Sequence, residues 1–529
     1  MTADLVFGSI PPFYREVYDI VSPNQEQVDR DLFVQLLVKS SLPKQTIMQI
    51  WDLVDTQQGF MTRNGLYKAL ALTALAQQGK SINDKLLETF SGQELPKPSL
   101  GDLSDLKASS LKLRRERTPN VLCFDFKELC EIDSIKLELV PEKKGIILKH
   151  VEYEVTSKRH KTTVLRRYND FVALHELLTA RFAYRVIPRL PPKKIGASRE
   201  FIEQRKKCLR RYLNIIARHP QMHDDKLVTF FLTFAGNDVQ HKIKEQFRGI
   251  PDEFMTCDMA SRAKDLVPMD TQQQLATSKE HIKLVYETVT RLKDIAEGMV
   301  MRSTLFATDM LHLGRQLSIV SNDSTPITTW ATGASKTWDR LQKGFRLLSV
   351  EFASLSDKAT QAAVDEEDGV VEKLSFFQDL ITAYKDLCDR HEKGVLHDHQ
   401  KAIQKMGQYK KKKMSATVQS SDTGAVDQLE QKILEQEGEI ANMENRNYYS
   451  LHCLQMETQL INAHLDIFYE IISCMARVET ATNDDLAKIW ASMEPAISVL
   501  SPSTQSFISK PQLSPVGSPN NNKYPGFSK

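Results

Sequence analysis

Between residues 13 and 78, apolar side chains recur at helical spacing: Leu32, Leu36 and Leu37, then Ile47, Ile50, Trp51 and Val54, then Leu66, Leu70 and Leu72. That period predicts a small all-α unit. Over residues 91–120 the period is lost and Ser, Pro, Gly and charged residues collect, which is the composition of a linker and places a domain boundary there. From Ser134 the spacing becomes two, with Ile135, Leu137 and Leu139, then Val151, Tyr153 and Val155, then Thr163 and Leu165, separated by the polar segments PEKKG and SKRHK. Three short antiparallel strands are predicted. Helical spacing returns in DFVALHELLTARF, stops at the proline-rich VIPRLPPKK, and resumes over residues 199–218 and 226–234. Strands followed by helices make an α+β unit.

The last third is patterned over much longer stretches. Ile282, Val285, Val289, Leu292, Ala296, Met299, Phe306, Met310, Leu313 and Leu317 alternate spacings of three and four, with one polar miss at Ser303. Val370, Leu374, Phe377, Ile381, Tyr384, Cys388, His391 and Val395 form a second series. Leu429, Ile433, Ile440, Met443, Leu451, Leu454, Ile461, Leu465 and Phe468 form a third. A net period near 3.5 over such lengths predicts three long helices in a coiled-coil-like bundle. The tail from Leu500 is rich in Ser, Pro and Asn and is expected to be disordered. The chain therefore divides into residues 1–90, a linker 91–129, an α+β domain 130–237, a connector 238–268, a helical bundle 269–498 and a tail 499–529.

Charge sharpens this picture. The 529 residues carry 70 Lys and Arg against 68 Asp and Glu, yet residues 130–235 alone hold 22 basic against 12 acidic side chains. That segment is +10 and the remainder −8, so one domain is built to meet an anion. Seven scattered cysteines without a C-x-x-C pair argue against a disulfide framework and against zinc, and no cofactor or metal is expected. No stretch approaches the roughly 20 apolar residues of a spanning helix, so membrane contact is expected to be peripheral, from a cytoplasmic protein.

The densest chemistry is L-R-R-Y-N-D-F (Leu165 to Phe171), then P-P-K-K (Pro191 to Lys194), then R-K-K-C-L-R-R-Y (Arg205 to Tyr212). An inositol phosphate asks for a planar fork of donors, an apolar face under the ring and a second point cation, which Arg, Tyr and Lys supply. The alternative is a solvated basic face. These three ordered motifs resemble the phox-homology (PX) domain across about residues 130–237. The resemblance implies that Arg167 binds a 3-phosphate, Tyr168 stacks on the inositol, Lys193 reaches the 1-phosphate and Arg205 bonds the 4- and 5-hydroxyls, with phosphatidylinositol 3-phosphate as ligand. A nucleic-acid reading lacks a recognition helix or an RNP motif.

A PX domain followed by three long helices resembles the PX-BAR sorting nexins, in which paired bundles form an antiparallel dimer on curved membrane. The resemblance implies a homodimer, with a heterodimer or higher oligomer as alternatives, a partner in the anionic leaflet, transmembrane cargo, early endosome membrane as the location, tubule formation and retrieval of cargo toward the Golgi. Lys410, Lys411, Lys412 and Lys413 fall between the second and third helices, at the tip in such a bundle, and are expected to meet an anionic surface. Residues 239–266 are either an amphipathic membrane helix, interrupted at Pro251, or a yoke packed on the bundle.

Ser40 to Asp55 (SSLPKQTIMQIWDLVD) resembles the EH domain, a paired EF-hand module whose pocket takes Asn-Pro-Phe peptides. Trp51 would be the pocket floor, or else a core residue of a degenerate module. Asp55 to Thr62 keeps one carboxylate where a calcium loop needs several, so no calcium is expected. One enzymatic pattern occurs, H-x-K-x-x-x-x-D at His391, Lys393 and Asp398, as in phospholipase D enzymes. Those sites take two copies and this chain has one. His391 also falls on the apolar stripe of a helix, so no catalytic residue and no enzyme is expected.

Overall fold

The structure is a computed structural model. It describes residues 9–22, 27–54, 61–90, 93–140, 151–194, 198–325, 336–418 and 423–501, apart from the side chains of residue 84 and residues 115–117 and 423–425. The loop segment 55–60, the polar segment PEKKG and the tail from residue 502 lie outside the described residues. The chain forms two compact units: Met1–Leu190, Leu213–Ser278 and Ala383–Ala463 in the first, and Pro191–Tyr212, Lys279–Thr382 and His464–Lys529 in the second.

The first unit opens with four helices, Pro12–Val21, Arg30–Val38, Lys44–Val54 and Arg63–Gln77. Asp29 and Thr62 cap the second and fourth, each side chain accepting a main-chain N–H of the first turn. Leu32, Leu36, Ile50, Leu66 and Leu70 meet in their core. The segment read as a linker joins that core. It carries the helix Ser104–Arg117, buries Leu95, Leu100 and Leu106, and is fixed by Tyr14 donating to the carbonyl of Pro96 at 2.7 Å. Three leucines spaced five and six residues apart fit neither a helical nor a strand period, so periodicity could not find them.

The sheet follows as β1 (Ile135–Leu139), β2 (Glu152–Ser157) and β3 (Thr162–Arg167), antiparallel in that order. Ile135 and Leu137 on β1 and Tyr153 and Val155 on β2 face the core as predicted. On β3 the phase is shifted by one residue: Val164 and Arg166 are buried, whereas Leu165 is 43% exposed. Tyr168 opens the helix Tyr168–Arg181. The helix Lys226–Thr233 follows in this unit, and the helix Arg199–Ala217 belongs to it only from Leu213 on. At the C-terminal end of the longer one, Asn214 bonds both the N–H and the carbonyl of Ile135, at 3.0 and 2.9 Å.

Val239, Ile243 and Phe247 of the helix Val239–Phe247 are buried, and Ala260 and Ala263 pack with Tyr184, Tyr449 and Cys453. His397–Val418 and Thr423–Ala463 pair as neighbouring helices within the same unit.

In the second unit, Leu348 and Leu355 of the helix Thr337–Glu366 pack on Met493 and Ala496. Phe377 meets Phe468 edge-on at 5.7 Å. At the π-helical turn Glu367–Val371, a Cβ on Gly369 would overlap Cys474 Sγ, so a larger residue there must displace that thiol. Leu284, Ile295, Met301, Leu305, Val350 and Ile472 remain more than half exposed. The helices Thr271–Ser321 and Ile467–Ser492 thus each carry apolar surface that this single chain does not cover. No helix among the described residues is long and apolar enough to cross a membrane.

Candidate functional site

Consecutive strand residues point to opposite faces of a sheet, and the two arginines ending β3 show what that does. Arg166 is 1% exposed. Its Nε donates to the carbonyl of Phe231 at 2.9 Å, Nη2 to that of Phe234 at 2.7 Å and Nη1 to that of Leu165 at 2.7 Å. Burial pushes its pKa down to about 10, against the raising effect of Asp170. Arg166 is a structural arginine that ties the end of the helix Lys226–Thr233 to the sheet, which is why β3 has the phase it has.

Arg167 faces the other way. Its side chain is 54% exposed, and its Nε donates to Oε1 of the buried Glu152 across the β2–β3 ladder at 3.1 Å. Its main-chain N–H donates to Asp170 Oδ2 at 2.7 Å. Burial raises the pKa of Asp170, with that hydrogen bond and the two arginines acting in the opposite direction. The terminal nitrogens Nη1 and Nη2 of Arg167 make no hydrogen bond among the described residues. One nitrogen is therefore anchored and the forked end presented, the arrangement a phosphate needs. Tyr168 stands beside it, half-buried, as the first residue of its helix.

Lys193 and Arg205 belong to the second unit. Lys193 is exposed, just after the buried Pro191. Arg205 is 8% exposed, its guanidinium 5.9 Å from the ring centroid of Phe201, and Lys194 approaches the same ring at 5.5 Å. The rest of the basic run serves the fold. Lys206 pairs with Glu203 at 3.1 Å, Lys207 with Glu367, Arg210 with Glu372 at 2.9 Å, and Arg211 with Glu372 at 3.1 Å and Asp379 at 2.6 Å. Burial disfavours the charge on Arg211, but Asp379 and Glu372 more than compensate and raise its pKa. The +10 of the sequence therefore overstates what a lipid would meet.

The four lysines lie on the helix His397–Val418 rather than in a connection, so they point in different directions. Lys410 pairs with Glu437 at 3.4 Å and Lys413 with Glu430 on the neighbouring helix. Lys411 and Lys412 are exposed and make no ion pair among the described residues. Trp51 is half-buried against Phe33, ring centroids 5.5 Å apart, with the guanidinium of Arg30 5.4 Å from its own ring.

His391, Lys393 and Asp398 do come together, around one cavity. His391 is buried with Nδ1 2.8 Å from Ser450 Oγ, while Lys393 is exposed and held by Asp389 at 2.8 Å. A separate cluster went unread in the sequence. Arg185 Nε donates to Glu253 at 2.8 and 3.2 Å and its Nη1 to Glu457 at 3.4 Å, and His219 Nε2 lies 3.0 and 3.1 Å from the Glu457 oxygens. All four side chains are buried. Burial would raise the pKa of Glu457, but His219 and Arg185 bring it below its ordinary value. One signal was available: Glu457 sits three residues after Leu454 and four before Ile461, on the apolar stripe, where a charge needs a buried partner.

Comparison with known proteins bears on these features together. Residues 12–96 match the EH domain, residues 154–235 the PX domain and residues 249–476 the sorting nexin 8/Mvp1 BAR domain. The chain is 46% identical to sorting nexin-8 of Homo sapiens over 394 residues, which is 74% of this chain and 85% of that protein. It is 27% identical to sorting nexin mvp1 of Aspergillus oryzae over 334 residues, 61% of this chain and 45% of that protein. The cryo-EM structure of the SNX-BAR Mvp1 tetramer superposes with a TM-score of 0.52 at 20% identity, over 68% of this chain and 99% of that one, a likeness of fold alone.

Proposed function

This chain belongs to the sorting nexins that join a PX domain to a BAR domain, and from that premise we propose that it binds phosphatidylinositol 3-phosphate through Arg167, Tyr168, Lys193 and Arg205. It is a membrane adaptor of that family, not a phospholipase D-like enzyme. The observation that carries the lipid reading is Arg167, whose Nε is anchored on Glu152 while its terminal nitrogens stay exposed and unbonded among the described residues. Arg166 next to it, bonded at all three nitrogens, serves as the internal contrast. The PX match spans all four residues.

The exposed apolar side chains of the second unit support self-association, since monomers rarely leave such surface uncovered. A homodimer is the simplest assembly, and the tetramer named for Mvp1 makes a higher one a second outcome. Two lipid sites per dimer gain affinity through tethering, by roughly 10²-fold or more, without any new contact. In this reading the protein works at the cytosolic face of the early endosome, where it sorts transmembrane cargo for retrieval toward the Golgi. Residues 130–237 act as its PX domain, 269–498 as its BAR domain and 1–90 as an EH-like region.

Flotation with liposomes tests the proposal. Wild-type protein should float with vesicles containing phosphatidylinositol 3-phosphate, Arg167→Ala should remain at the bottom, and His391→Ala should float normally. Equal flotation of Arg167→Ala would overturn the site, and head-group release abolished by His391→Ala would overturn the adaptor.

A further inference from the structure

We propose that Glu152 is a specificity-determining residue of the lipid site, one that aims the Arg167 fork at a single phosphate monoester and turns away head groups that bring further phosphates. The inference rests on the lipid reading above and goes beyond it, because cations alone would favour the more highly charged head group.

On β2, Tyr153 and Val155 turn to the core, so Glu152 and Glu154 share the opposite face of the sheet. Glu154 is exposed there, as an outward-facing residue should be. Glu152, directly across the ladder from Arg167, is instead 5% exposed. The pair is lopsided, with a carboxylate side chain 7% exposed and a guanidinium side chain 54% exposed. An ion pair open to water on one side gains little, whereas a buried carboxylate loses its hydration. A glutamine oxygen could accept the same hydrogen bond from Arg167 Nε, so that anchor by itself does not call for a charge.

The charge has a use at the ligand. With Oε1 on Nε at 3.1 Å, Glu152 fixes the plane of the guanidinium and leaves Nη1 and Nη2 for two oxygens of one phosphate. It also offsets part of the Arg167 charge and sets a weakly screened anion behind the fork. One phosphate meets that repulsion with two charge-assisted hydrogen bonds in its favour. A second phosphate on the same ring meets the repulsion without the fork. The cations that follow Arg205 offer it little, because Lys206, Lys207, Arg210 and Arg211 are each held by a carboxylate of their own unit.

The test is isothermal titration of the full chain with two soluble short-chain lipids, phosphatidylinositol 3-phosphate and the 3,5-bisphosphate. Glu152→Gln should shift the affinity ratio toward the bisphosphate by about fivefold or more. Glu154→Gln makes the same change of net charge on the same face but in solvent, and should leave the ratio within about twofold. Because the ratio compares two lipids on one variant, it is independent of any fraction that fails to fold, and a merely structural role would weaken both lipids alike. Glu152→Ala removes the acceptor along with the charge, so it should bind the monophosphate at least about threefold more weakly than Glu152→Gln. An unchanged ratio in Glu152→Gln, or an equal shift in Glu154→Gln, would overturn the selecting role, and equal binding by the Ala and Gln variants would overturn the aiming role. Absence of saturable binding by the wild type, or binding that Arg167→Ala leaves intact, would overturn the lipid reading itself and this inference with it.

Discussion

Replacing Arg185 by methionine keeps the aliphatic bulk of the side chain and removes the one permanent cation of the buried cluster. Glu253, 7% exposed, would keep among the described residues only the thiol of Cys453, 3.7 Å from Oε1, while Glu457 would keep His219. Removing one partner of a buried pair strands the other charge, and such changes cost about 3–5 kcal/mol. At 1.4 kcal/mol per tenfold, that is roughly two to three orders of magnitude in local opening. Because a chain of several domains does not unfold in one step, the assay is native-state hydrogen exchange over residues 248–256 and 446–460. Exchange there should accelerate by about 10²-fold or more in Arg185→Met and recover substantially when Glu253→Leu is added. A single variant within threefold of wild type, or a double variant no better than the single, would refute the reasoning.

Three further outcomes follow from particular contacts. Gly369→Ala should destabilise the second unit by about 1–3 kcal/mol through overpacking on Cys474, and Cys474→Ala in the same chain should restore most of it; thermal melts of the single and double variants decide this. His452 is buried, its Nδ1 has no hydrogen-bond partner among the described residues, and desolvation, with the charge of Arg185, takes its pKa from 6.5 down to about 4. Its folded pKa lies below the unfolded one, so local stability present above pH 6.5 should fall as pH drops toward 4, by on the order of 3 kcal/mol, with a flatter profile for His452→Gln in native-state hydrogen exchange over residues 446–460. Lys411→Gln with Lys412→Gln should weaken co-sedimentation with anionic vesicles by about fivefold per residue, while the already paired Lys410 and Lys413, changed likewise to Gln, should lose less than half as much in free energy; equal losses would count against a membrane role for the exposed pair.

The elements were legible because their cores are periodic: three strands, the helices that follow them, and three long helical stretches all announce themselves in the spacing of apolar residues. Arg167 lies exposed at the end of β3, in the short motif that the sequence singled out. What escaped the sequence depends on partners distant in the chain. Arg166 looked like a second member of a basic patch, and only the carbonyls of Phe231 and Phe234 make it a core residue and set the phase of β3. Lys207, Arg210 and Arg211 looked available to a lipid until Glu367, Glu372 and Asp379, more than 150 positions away, were found beside them. A lysine run read as a loop proved helical, which turned one patch into two pairs with different neighbours.

The claim that this sorting nexin reads a phosphoinositide through Arg167 is tested most directly by isothermal titration of the full chain with short-chain, soluble phosphatidylinositol 3-phosphate, free of any bilayer. The account predicts one site per chain, at least about tenfold weaker in Arg167→Ala and little changed in Lys411→Glu, because the anchored guanidinium acts on the head group and the exposed lysine on the surface. Binding that survives Arg167→Ala, or that falls equally in both variants, would contradict it.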